Sequence, residues 1–271
     1  VSLFAILTLF PEAIEPYLGA SILGSARQRG LIETLVVDFR DFTRDRHRTV
    51  DDRPFGGGPG MLLRPEPIAE CVEWLEARYG AFRRLAMCPS GRVFRQADAA
   101  SLSSEPRVLL LAGRYEGFDE RLLDAFDFER LSLGDFVLSG GELPAVCVLE
   151  AAARLIPGVL GDEESAAQDS FQHGTTSAHT AGSPTLDTPH YTRPRTWRGK
   201  EVPDVLLSGH HGQIERWRAS AALERTRRRR PDLLRPDLLR PDMLRPDPSR
   251  PDLSRPDDTN SNDARAPGES D

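Results

Sequence analysis

Two glycine-bearing stretches hold residues in the arrangement of a ligand-binding loop. "AGRYEGFDERL" (112–122) follows an apolar run, turns at Gly113 and Gly117, and carries Arg114, Tyr115, Glu116 and Asp119. "LSLGDFVLSGGELP" (131–144) repeats the logic with Gly134, a short strand, and Ser139-Gly140-Gly141 opening an apolar helix. Glycine lets backbone N–H and C=O groups approach a ligand closely, so these loops suit a flat adenine and a ribose and require no dense anion. "FGGGPGM" (55–61) is either a tight turn or a loop whose N–H groups converge on an anion or a neighbouring chain. No Gly-Lys-Ser/Thr follows it, which disfavours a Walker A site, and no G-x-G-x-x-G follows the first apolar run. "RDFTRDRHRTVDDRP" (40–54) mixes six basic residues, counting His47, with four aspartates. Such density is either a solvated face or a phosphate cradle whose aspartates hold the arginines in place. Asp169, in "AAQDSFQHG" (166–174), sits in a run with neither helical nor strand periodicity and by spacing alone is a solvated linker acid.

The elements that must position these residues alternate. "LFAILTL" (3–9), "LIETLVVDF" (31–39), "FRRLAMC" and "RVLLLAG" (107–113) are short apolar runs that read as strands. Helix-compatible spacing covers 12–29, with Ile14, Leu18, Ile22 and Leu23 on one face, and "RPEPIAECVEWLEARYG", with Pro65 near its start and Gly80 at its stop. "LPAVCVLEAAARLI" (143–156) is apolar nearly all round and is expected to be buried. Continuous apolar strands alternating with helices predict an α/β fold with a mostly parallel sheet covered on both faces. Ligands then bind in the loops after the strands' C-terminal ends, here those after Leu9, Phe39, Cys88, Ala112 and Leu138. A polar linker over 161–188 separates the first domain, 1–160, from a small helical one, 189–230, whose helix presents Ile214, Trp217, Ala221 and Leu223 or Ala222 on one face. Arg-Pro-Asp recurs every fifth residue from 230 to 255, so 231–271 is expected to be a disordered tail.

With 271 residues and 39% apolar content the chain can bury a real core, and no window is apolar enough for a membrane span. Three cysteines without C-x-x-C spacing point to a reducing, cytoplasmic setting and not to disulfides or zinc. The net charge of -7 argues against non-specific coating of nucleic acid but allows a local basic patch that docks a folded RNA.

Read together, "LFPE" (9–12), "RDFTRDRHRTVDDRPFGGGPGM" (40–61), "GRYEGFDER" (113–121), "LSLGDFVLSGGELPA" (131–145), "IPGVLG" (156–161), "QDSF" (168–171), "PHYTRP" (189–194) and "VPDVLLSGHHGQIERWR" (202–218) closely resemble the bacterial tRNA (guanine-N1)-methyltransferases of the TrmD type, in order and in spacing. The resemblance implies a homodimer whose first domain is a trefoil-knotted α/β fold of the SPOUT class. It implies that S-adenosylmethionine is held at Pro89, Gly113, Arg114, Tyr115, Glu116, Leu133, Gly134, Phe136, Leu138, Gly140, Gly141 and Pro144, with Mg2+ assisting. The product would be N1-methylguanosine at position 37 of a tRNA anticodon stem-loop, next to a guanosine at 36. Asp169 would be the catalytic base and Arg154 the cation that stabilises the reacting guanine.

The chain departs from the family at Phe136, where a tyrosine is usual, and at Met87-Cys88-Pro89-Ser90-Gly91, where an apolar-Ser-Pro-Gln-Gly run is common. It also carries an insertion of roughly ten residues within "QHGTTSAHTAGSPT" and the repeat tail in place of a C-terminal helical end. Two other readings are an RNA-binding homodimer that has lost catalysis and a related methyltransferase acting on ribose or on another base.

Overall fold

A computed structural model describes residues 1–161, 169–171, 183–235 and 239. The chain divides into two compact units, Val1–Thr175 and Thr176–Asp271, with the boundary inside the expected linker.

The first unit is built on five strands in the order β2-β1-β6-β5-β7, where β1 is Ser2–Thr8, β2 Ile32–Asp38, β5 Arg83–Val93, β6 Arg107–Ala112 and β7 Glu129–Ser132. Every pairing in this sheet is parallel. Two two-residue strands, β3 Asp51–Asp52 and β4 Leu62–Leu63, pair antiparallel beside it. The register sets the C-terminal ends of the main strands nearly level, with Thr8 opposite Asp38, Leu7 opposite Leu111, and Met87 between Ala112 and Leu131. Alternate residues of each strand enter opposite cores. Phe4, Ile6, Leu85, Val108 and Leu110 pack with Ile14, Leu18 and the helix α6, Glu142–Ala153. Leu3, Ala5, Leu7, Leu109 and Leu111 pack with Ile68, Cys71, Val72 and Leu75 of α3, Pro65–Tyr79. This two-sided burial is why the strands read as continuous apolar runs.

The structure corrects three expectations. The helix expected over 12–29 is two helices, α1 Pro11–Leu18 and α2 Ser21–Gln28. The break has a cause: Ser21 takes a φ of 50°, and Gly24 packs so closely that a Cβ there would lie 2.2 Å from the carbonyl oxygen of Gly19. The short strand expected within 131–144 lies earlier, at Glu129–Ser132. It stops because the Ser132 hydroxyl accepts from the Gly134 amide and donates to the Gly134 carbonyl, closing a turn that leaves 136–138 as loop. Finally, α6 is not buried all round: Leu143 is 66% exposed and Cys147 is exposed beside it, one turn on. Two short helices not expected from the sequence, α4 Gln96–Ser103 and α5 Glu120–Ala125, complete the unit.

In the second unit the hairpin β8–β9 (Thr196–Trp197 and Lys200–Glu201) precedes α7, His211–Arg229. Ile214, Trp217, Ala221 and Ala222 are half-buried and Leu223 is buried, as the spacing predicts. The first residues of the segment expected as a tail, 231–235, are described. Pro231–Leu233 forms a 3-10 turn and Leu234, 6% exposed, packs on Leu223; most of the repeat beyond lies outside the described residues. Truncation after Arg235 is therefore expected to keep kcat/KM for tRNA within about threefold, since each repeat arginine has an aspartate close by and little net pull on phosphates. Truncation after Arg230 also removes Leu234 and should lower the melting temperature as well. A tenfold loss of kcat/KM from the first truncation would show that the repeat grips RNA.

Candidate active site

The level strand ends collect the loops that follow them. The chain leaves the edge strand β7 and returns across the end of β5 to that of β6, where the Gly141 amide donates to the Gly113 carbonyl at 2.8 Å. This approach depends on glycine: a Cβ on Gly141 would lie 2.7 Å from the Gly113 nitrogen and 2.8 Å from the Ala112 Cα. Between these loops and the bulge in β5 lies a cavity of about 290 Å³, near the lower end of the size of small-molecule sites, ~300–1,000 Å³.

Of the residues expected at the cofactor site, all but Gly134 line this cavity. Gly134, at φ +156°, lies in the turn below, where a Cβ would press on the Phe136 ring at 3.0 Å. Cys88, beside Pro89, and Ser139, in the second glycine loop, line it too, as do Met87, Phe118, Leu131 and Val137, which sequence reasoning did not single out as site residues. Met87 and Cys88 close the run read as the third strand, whereas Leu131 lies in β7 and Phe118, Val137 and Ser139 lie in the loops that follow the strands. Tyr115 holds a φ of 59°, uncommon for a bulky side chain and typical of residues constrained at binding loops. The Glu116 amide donates to the Met61 carbonyl, which ties this loop to the end of the "FGGGPGM" run. Apolar walls with backbone amides and carbonyls at the glycine turns form an open cradle.

A buried acid sits behind the cradle. Glu142, 5% exposed, accepts from the Thr8 hydroxyl at 2.9 Å and from Arg114 Nε at 3.0 Å. The Thr8 hydroxyl itself accepts from the Phe10 amide, and the Arg114 guanidinium lies 4.4 Å over the Phe10 ring. The sequence signal for Glu142 was a carboxylate at the first position of a mostly apolar helix.

The second constellation stands at the other end of α6. Arg154 caps the helix, and its Nη2 donates to Asp169 Oδ2 at 2.5 Å. Both side chains remain open to solvent. Local spacing made Asp169 a linker acid; the fold returns the chain so that it meets the arginine fifteen positions earlier. With α6 twelve residues long, this pair is ~18 Å along the helix axis from the cradle at its N-terminus.

The cysteines separate by setting. Burial, with Asp41 and Asp38 nearby, pushes the Cys71 thiol up to about 12, so it is a core hydrophobe. Cys88 lines the cavity 3.0 Å from the Ser90 hydroxyl, and Cys147 lies on the exposed stripe of α6. Near that stripe Tyr17 donates to Glu150 at 2.5 Å, and the carboxylate raises the phenol above its ordinary value. In the mixed-charge run, Arg40 pairs with Asp38, Arg48 with Asp41, and Arg44 with Glu70 at 2.8 Å. In the second unit Arg225 donates to the carbonyls of Asp187 and Thr188, holding the 187–191 segment against α7. That segment borders a groove with Glu224, Arg225, Arg228 and Arg229 of α7, residues that sequence reasoning did not single out, and Tyr191 stands at a tilt 6.3 Å from Trp217.

The sequence profile of the family described as tRNA (Guanine-1)-methyltransferase TrmD matches residues 3–236. That span takes in both glycine loops, the Arg154–Asp169 pair and α7. The chain belongs to this family. It is similar to the tRNA (guanine-N(1)-)-methyltransferase of Anaeromyxobacter sp., 52% identical over 84% of this chain and 89% of that protein. It is also similar to those of Desulforudis audaxviator, 49% identical over 86% and 89%, and Bacillus subtilis, 45% identical over 84% and 90%. The first unit of this TrmD-family enzyme has the mostly parallel α/β sheet expected of the family, and the second is the small helical part. No helix among the described residues is long and apolar enough to cross a membrane.

Proposed function

We propose that the enzyme transfers a methyl group from S-adenosylmethionine to N1 of guanosine 37 in tRNAs with a guanosine at 36. The observation that carries this reading is the family match over residues 3–236, which includes the cradle and the acid–arginine pair. The cradle fits the cofactor's adenine and ribose by its apolar walls and the glycine turns at Gly113, Gly140 and Gly141. When bound, S-adenosylmethionine supplies an electrophilic methyl group on a sulfonium centre.

The chain's own residues supply the rest. Guanine N1 carries a proton and is a poor nucleophile, so the Asp169 carboxylate takes that proton as the N1–methyl bond forms. Negative charge then gathers on O6, and the Arg154 guanidinium offers N–H donors to it. The pairing also favours guanine. Its edge sets a donor, N1–H, beside an acceptor, O6, and the Asp169–Arg154 pair sets an acceptor beside a donor. Adenine presents the reverse, an acceptor at N1 beside the donor N6. Among the described residues no group of three or more His, Cys, Asp or Glu is placed to hold a metal ion; an assisting Mg2+ would be held by one or two carboxylates with waters and RNA phosphates.

We read the working unit as a homodimer with composite sites. Within a protomer the acid–arginine pair and the cradle stand at opposite ends of α6, too far apart to serve one methyl transfer. The exposed stripe of Leu143 and Cys147 supports a partner packed against this helix. The chain's return from β7 across β5 to β6 supports the trefoil-knotted SPOUT topology. Tyr191, Arg193, Arg195, Arg216 and Arg218, with the groove at Arg228 and Arg229, are read as the surface that meets tRNA phosphates.

The deciding experiment incubates wild-type and position-36 variant tRNAs with labelled S-adenosylmethionine, then identifies the modified nucleoside by digestion and mass spectrometry. The expected product is 1-methylguanosine at position 37, suppressed when guanosine 36 is replaced although tRNA still binds. A methylated ribose, a methylated adenosine, or indifference to position 36 would defeat the assignment.

A further inference from the structure

Glu142 has no part in the chemistry above, yet among the described residues it is the one charged residue that is buried. Its carboxylate is held by the Thr8 hydroxyl at 2.9 Å, at the end of β1, and by Arg114 Nε at 3.0 Å. Arg114 in turn lines the cofactor cavity, lies over the Phe10 ring at 4.4 Å, and reaches the Ser139 carbonyl at 3.4 Å. Gly140 is required by this arrangement, because a Cβ there would lie 2.3 Å from Glu142 Oε2 and 2.4 Å from Arg114 Nε. The chain thus leaves out a side chain at Gly140 and buries a carboxylate in order to keep an ion pair in the wall of the pocket.

An ion pair with one member buried and the other half-buried adds little to stability compared with an apolar pair of the same shape, so its placement calls for another reason. The proposed donor carries a positive sulfonium, whereas the thioether left after transfer is neutral at sulfur. An uncompensated arginine in the cavity wall would repel the first and not the second. We propose that Glu142 is a positioning and charge-cancelling residue: it clamps Arg114 between the two glycine loops and neutralises it, so that the pocket accepts a sulfonium cofactor in preference to its thioether product.

This inference rests on the cofactor reading above, and its test separates the two. Dissociation constants of S-adenosylmethionine and S-adenosylhomocysteine are measured by calorimetry at pH 8. Glu142→Gln keeps the shape and an acceptor for Thr8 and Arg114 but removes the charge. It should weaken the sulfonium ligand relative to the thioether on the order of tenfold, the scale of one uncancelled charge in a pocket wall at an effective dielectric of about 20. Arg114→Gln should shift the ratio the other way, and the double variant should return it toward the wild-type value. These opposite signs do not depend on Glu142→Gln folding well. Equal loss of both ligands in each variant would show a merely structural role and overturn the inference while leaving the function intact. Wild-type protein that binds neither ligand would overturn both.

Discussion

Asp169→Ala should lower kcat by about 100-fold or more while leaving the dissociation constant of S-adenosylmethionine within a few fold. The size follows from the role: a general base acts in the transition state, contributing ~10²–10⁴-fold, and its removal falls on kcat and not on ground-state binding. Its place supports the separation, since the carboxylate stands at the far end of α6 from the cradle of the same protomer. Single-turnover kinetics and calorimetry on one preparation check both halves. Loss of cofactor binding with normal residual turnover would reassign the residue. Arg154→Ala should lower kcat to a similar degree, and Arg154→Lys should recover little, because an ammonium lacks the planar fork that faces a carboxylate and O6 together. A melting curve guards the result: Arg154 also caps α6, so a large drop in melting temperature would mark packing, not catalysis, as the cause.

Gly141→Val should have the second large effect, on the opposite quantity. A branched side chain cannot enter where a Cβ alone would lie 2.7 Å from the Gly113 nitrogen. The two loops must part, losing the hydrogen bond between Gly141 and Gly113 that closes the cradle. Overpacking of this kind costs about 1–3 kcal/mol, which corresponds to roughly a tenfold to hundredfold loss of cofactor affinity. Gly140→Val should behave alike for a different reason, its clash being with the Glu142–Arg114 pair.

The two variants together test the composite site. At S-adenosylmethionine concentrations near the wild-type KM, Asp169→Ala and Gly141→Val homodimers should each have little activity. Subunits exchanged between them form heterodimers in which one site combines an intact cradle with an intact Asp169 from the other subunit, so activity should reappear. If mixing restores nothing although mass measurement detects the heterodimer, each protomer carries its own complete site. Full activity from a monomeric species at micromolar concentration would mean the same.

What the amino-acid sequence determined here was whatever is written at short range. A strand buried on both faces is apolar at nearly every position, so "LFAILTL" and "RVLLLAG" declare a covered parallel sheet by their composition alone. A loop that must let backbone approach backbone needs glycine, so Gly113, Gly140 and Gly141 mark the cradle. The resemblance of eight spaced segments added roles that no single one could support. Tertiary structure decided the matters that depend on closure. Local spacing does not distinguish Asp169 from a linker acid, and only the "QDSF" resemblance gave it a role; the return of the chain past α6 is what sets it against Arg154. Glu142 meets Thr8 across 134 positions, an encounter that no local period encodes. The break between α1 and α2 was hidden for the same reason, since apolar spacing records which face is buried but not where Gly24 must press against Gly19. Periodicity reports burial of an element against something; the partner itself is chosen by the sheet order, and that order is a property of the whole chain.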